Sequence, residues 1–129
     1  MLKKILKDKG ITGIYVGSAG IEANPEYKIY GYLADVMRDA GIDFSDHVST
    51  QFTEEHARMS DMIFVMEKRQ KKFILDKYPA AGKKVFLLRE YADCGETDIE
   101  DPIFKPAPAH KSTLEEINDC LKKIMPKII

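Results

Sequence analysis

The sequence carries no surplus of charge of either sign. Its 20 Lys and Arg against 21 Asp and Glu leave a formal net charge of −1. That excludes the one-signed field by which a chain advertises nucleic acid or an anionic membrane as its partner. The lysines fall in pairs, Lys3–Lys4, Lys71–Lys72, Lys83–Lys84 and Lys122–Lys123, and read as solvated helix and turn faces. No apolar stretch approaches the ~20 residues of a membrane span. No signal-peptide pattern opens the chain, so the expectation is a cytoplasmic protein. Cysteine is scarce: Cys94 and Cys120 are the only two, expected as thiols rather than a disulfide. His47 and His56 sit beside polar residues near helix starts and read as surface or capping groups. His110 has no second ligand nearby, so neither a metal nor a cofactor is expected. Internal repeats and linkers are missing too, and residues 1–129 are expected to form a single domain.

What is present suits a folded core. The chain is 44% hydrophobic and 32% charged over 129 residues, long enough to bury apolar side chains in one domain. Residues 2–9 place Leu2, Ile5 and Leu6 on one helical face, with Gly10 as a stop. "GIYVG" at 13–17 reads as a short buried strand between glycines. Residues 26–40 carry Ile29, Leu33, Val36, Met37 and Ala40 at helical spacing, closed by Gly41. Thr53 can cap a short helix running through Arg58. "DMIFVM" at 61–66 and "KVFLL" at 84–88 read as two further strands, separated by a helix over 67–78 that Pro79 ends. Ser112 and Glu115 suggest a capping box for a last helix, with Leu114, Ile117, Leu121 and Ile124 facing inward. Helices alternating with continuously apolar strands predict a three-layer α/β/α fold around a parallel sheet.

In such sheets chemistry collects at the carboxyl ends of the strands. Three loops qualify: "GSAGIEANP" after the first strand, "EKRQ" after the second, and residues 89–108 after the third. The last contains "DIEDPIFKPAPAH", where Asp98, Glu100 and Asp101 crowd together and Pro102 restrains Asp101. A solvated acidic turn would account for these residues, and so would a positioned proton donor.

"VGSAGI" at 16–21, "ARMSDMIFVMEKRQ" at 57–70, "KVFLLREYA" at 84–92 and "DIEDPIF" at 98–104 occur in one order and spacing. A chain with this set resembles the low-molecular-weight protein tyrosine phosphatases, whose fold is shared by thioredoxin-coupled arsenate reductases. The resemblance covers nearly the whole chain. It implies that Asp101, of the Asp-Pro pair, is the general acid that protonates the leaving oxygen and then deprotonates the attacking water. It also implies an aromatic wall for the substrate ring, for which Phe104 and Tyr91 are the candidates. Because Ile103 stands directly after the proline, a preference for phosphotyrosine is left open. The implied substrates are phosphorylated protein side chains or small aryl phosphates.

The resemblance further implies a strand ahead of residue 1, running into a phosphate-binding loop: a nucleophilic Cys, five residues, then Arg. This sequence contains no such segment. Cys94 is followed six positions on by Glu100, and Cys120 by Pro126. The expectation is thus a phosphatase fold with its first strand missing and no catalytic nucleophile. A non-catalytic binding or interaction module on the same scaffold is the alternative. An arsenate reductase would need the same missing Cys. The missing strand belongs between 13–17 and 62–66, and an unfilled gap predicts a homodimer or a swapped arrangement. Gly17 and Gly20 offer an alternative anion loop, weighed against an ordinary strand-to-helix turn. Cys94, near the acidic loop, is expected to be blunted by carboxylates, and Cys120 to be a small packing residue.

Overall fold

The computed structural model describes residues 1–24, 26 and 28–129. Helix α1 covers Leu2–Asp8 and α2 covers Gly31–Asp39. Each ends in a glycine that does what the sequence asks of it. The Gly10 and Gly41 backbones have φ of +66° and +71°, a left-handed turn that costs glycine little. The amides of Gly41 and Ile42 reach back to the carbonyls of Arg38 and Met37. Those of Gly10 and Ile11 do the same to Lys7 and Leu6, satisfying carbonyls the helix would otherwise leave open. The helix expected over 26–40 begins later, at Gly31, and Tyr27 lies outside the described residues.

Helix α3, Glu54–Met59, is capped as expected by Thr53, and His56 serves as its reciprocal partner: the Thr53 amide donates to His56 Nδ1 at 3.0 Å. Strand β1, Ile63–Val65, gives way to α4, Lys68–Lys77, at Met66 and Glu67. Both of those amides donate to Gln70 Oε1, at 3.0 and 3.1 Å. A 3₁₀ turn at Pro79–Ala81 leads to β2, Val85–Leu87, and the short helix α5, Leu88–Tyr91. The last helix, α6, spans Ala107–Ile128 and so begins before Ser112. The Ser112–Glu115 capping box is therefore interior to a helix, not its start. Pro106 and Pro108 explain the earlier start, because a first turn does not need the amide hydrogens that proline lacks.

The sheet is small and parallel: β1 pairs with β2, Ile63 opposite Val85 and Val65 opposite Leu87. Side chains alternate between two cores. Ile63, Val65, Val85 and Leu87 pack with Phe52, Ala57 and Ile74 beneath α3 and α4. Phe64 and Met66 point the other way, onto Leu88, Ile99, Leu121 and Ile124 beneath α5 and α6. Helices thus cover both faces, the expected α/β/α layering. Leu87, Leu88, Ile99 and Ile124 are fully buried, each worth about 1.5–3 kcal/mol.

Residues 13–17 are not a strand. Tyr15 is 98% exposed, and among the described residues only Gly20, further on, makes an isolated bridge, to Gln51. An extended apolar run needs a neighbour to complete its ladder, and among the described residues no segment pairs with 13–17. The opposite edge of β1 is equally open, since the described sheet has two strands only. No helix is long and apolar enough to cross a membrane among the described residues.

Candidate active site

The acidic loop between α5 and α6 is tied to the carboxyl end of β1 at two points. The Ile99 amide donates to the Met66 carbonyl at 2.8 Å. The Asp98 carboxylate accepts the Lys68 amide at 2.8 Å. Lys68 opens α4, so an anion sits where the helix dipole favours one. Asp98 therefore has a job that the sequence did not announce. Its partner is 30 positions away, beyond the reach of any local capping pattern.

Beyond these anchors the loop turns outward. Asp101 Oδ1 accepts the Ile103 amide at 3.0 Å, an Asx turn that orients the carboxyl group across Pro102. The Lys105 amide closes the next turn on the Pro102 carbonyl at 2.9 Å. Glu100 pairs with Lys105 at 2.9 Å, and His110 Nε2 lies 3.0 Å from the Lys105 carbonyl oxygen. Asp101 itself is exposed. Phe104 is 98% exposed and has a φ of +64°, a conformation that costs a bulky residue about 1–3 kcal/mol. Asp101 and Phe104 thus share one turn, a carboxylate and an aromatic ring both presented to solvent. Tyr91 is placed differently. Its ring packs 5.2 Å from that of Phe64 and 4.8 Å from that of Phe86, and Lys127 Nζ lies 5.1 Å above it.

The loop after residue 17 is committed elsewhere. The Gly20 amide donates to the Thr50 carbonyl at 2.8 Å, and the Ala23 amide to Gln51 Oε1 at 3.0 Å. Those two amides are thereby occupied and are not free to face an anion. Gln51, which also donates to the Ile21 carbonyl, clamps it without having drawn notice in the sequence. His47 is exposed, and no group of His, Cys, Asp and Glu that could hold a metal occurs among the described residues. Both cysteines are free thiols. Cys120 is buried in the α5–α6 core as a packing residue. Cys94 has the Lys123 ammonium beside it, Nζ 3.3 Å from its sulfur, and shares a cavity with Glu115, Glu116 and Asp119.

The family model for low molecular weight phosphotyrosine protein phosphatases matches residues 1–129. The chain is 33% identical to a probable low molecular weight protein-tyrosine-phosphatase of Ralstonia nicotianae, over 98% of this chain and 86% of that protein. It is 27% identical to a protein-arginine-phosphatase of Bacillus subtilis, over 96% of this chain and 81% of that protein. The low molecular weight protein tyrosine phosphatase of T. tengcongensis superposes with a TM-score of 0.91 at 27% identity, covering 98% of this chain and 86% of that one. Ordered motifs, a two-faced parallel sheet and a tethered Asp-Pro loop agree with these matches: the chain belongs to the low molecular weight phosphotyrosine protein phosphatase family.

Proposed function

We propose that this polypeptide is a low-molecular-weight phosphatase scaffold that carries the general acid but not the nucleophile. Asp101 is the proton donor and Phe104 the aromatic wall beside it; Tyr91 enters only through its packing. The substrates are phosphorylated protein side chains or small aryl phosphates, in the cytoplasm, and they are turned over only when a Cys-five-residue-Arg loop is supplied. The observation that carries this reading is the cysteine spacing. Residues 100 and 126, six past each cysteine, are Glu and Pro, and none of Arg38, Arg58, Arg69 and Arg89 completes the loop. Without a thiolate there is no attack on phosphorus, and without the loop amides and Arg nothing clamps the phosphoryl oxygens. A general acid then has no departing oxygen to protonate. Among the described residues, the edge of β1 is open and the run at 13–17 unpaired, which leaves room for a further strand. They also give a second copy somewhere to pack, as a homodimer or a swapped pair.

The test is to graft a strand and Cys-five-residue-Arg loop from a relative ahead of Met1. The graft is expected to hydrolyse a chromogenic aryl phosphate, and Asp101→Asn in it to lower kcat by ~10²–10⁴. A folded graft that stays silent, or one indifferent to Asp101→Asn, would overturn the assignment.

A further inference from the structure

Cys94 and Cys120, the only cysteines in the sequence, are brought to one place by the fold. Cys94 lies just past α5 and packs against the buried cluster that contains Cys120 of α6. Both line a single cavity of about 420 Å³, together with Arg89, Ser112, Glu116 and Lys123. The two differ in access: Cys94 is half-buried, while Cys120 is 1% exposed. Cys94 is also held in position. Arg89 Nε donates to its carbonyl at 3.0 Å and bridges onward to Glu116 of α6. The Cys94 S–H points at the Ala92 carbonyl, 3.6 Å away, and the Lys123 ammonium stands 3.3 Å from the sulfur. Lys123 is three residues beyond Cys120, on the same face of the helix.

We propose that Cys94 and Cys120 form a redox pair, closed to an intramolecular disulfide by a peroxide and reopened by a dithiol. The accessible Cys94 reacts first. Its sulfur attacks one peroxide oxygen, the O–O bond breaks, and the thiol proton leaves with the displaced oxygen as water, or as alcohol from an alkyl peroxide. This leaves a sulfenic acid at Cys94. The Cys120 sulfur then attacks that sulfur, the S–O bond breaks, and hydroxide combines with the Cys120 proton as water. Two electrons pass from the two thiols to the peroxide. A dithiol such as dithiothreitol reverses the closure by exchange. The bond would fasten the start of the loop that bears Asp101 to the long helix α6.

Geometry also sets the pace of the second step. Burial pushes the Cys120 thiol up to about 11, the neighbouring Cys94 thiol adding to the effect. Of the charges around it, Glu116 pushes the same way and Arg89 opposes; Glu115, Asp119 and Lys123 also line the cavity. Closure is therefore limited by deprotonation of Cys120 and accelerates as pH rises toward that value.

The experiment treats the whole chain with hydrogen peroxide, alkylates it under denaturing conditions and weighs it intact. The expected product is a monomeric chain lighter by about 2 Da, with neither thiol alkylated, and restored by dithiothreitol. Trapping with a 1,3-dione should show sulfenic Cys94 disappearing about tenfold faster per pH unit between 7 and 9. In Cys120→Ser that species should persist, heavier by about 16 Da. Two alkylatable thiols after treatment of the unmodified chain, or disulfides only between chains, would overturn the proposal.

Discussion

Asp98 and Asp101 stand three residues apart on one loop yet face opposite tasks. Asp98 is spent inward, on the first amide of α4. Asp101 turns outward, held by its own Ile103 amide and by Pro102. The sequence marked Asp101 through the proline beside it. It could not mark Asp98, whose partner is defined only after folding. A third aspartate gives a pH test. The Lys127 ammonium, bonded to Asp93 at 2.8 Å, holds the Asp93 carboxyl below the usual carboxylate range. Because the folded value is the lower one, this contribution is complete above the ordinary carboxylate value and is lost as pH falls through the folded one. Lys127→Met should therefore lower Tm more at neutral pH than near pH ~3. Part of the loss should remain in acid, because Lys127 also donates to the Tyr91 carbonyl at 2.6 Å. Melting curves of the two proteins across that range decide it; a gap that does not narrow in acid would mean the carboxylate contributes nothing.

Among the elements, those with complete local signals were legible. Gly10 and Gly41 end their helices with the bonds their φ values permit, and Thr53 starts α3 with His56 in support. Strands at 63–65 and 85–87 follow from apolar runs that find each other. The run at 13–17 is likewise apolar but has no neighbour among the described residues, and a strand is a property of a pair. The start of α6 is masked in the sequence because Ser112 and Glu115 mimic a cap, whereas Pro106 and Pro108 fix the actual first turn. For the acidic loop, the Asp98 tether yields a prediction. Asp98→Ala should destabilise the fold by ~0.5–2 kcal/mol, as loss of a helix cap does. It should also speed proteolytic cleavage between residues 92 and 106, measurable by limited digestion; cleavage at an unchanged rate would mean the Ile99–Met66 bond suffices.

On the scale of the whole molecule, two helical layers cover a described sheet whose β1 edge is open. Sedimentation at increasing concentration is expected to show a dimer, and substituting proline for Phe64, whose neighbours Ile63 and Val65 carry the β2 register, should weaken it. A monomer at every concentration would assign the open edge to intramolecular closure instead. The central claim, that residues 1–129 carry the general acid Asp101 with no nucleophile for it to assist, meets its most direct test in the purified chain itself. Incubated with a chromogenic aryl phosphate at mildly acidic pH, the chain and its Asp101→Ala variant should both match the buffer blank. Turnover above the blank that disappears in Asp101→Ala would contradict the claim, and its loss in Cys94→Ser would identify the nucleophile that cysteine spacing alone had ruled out.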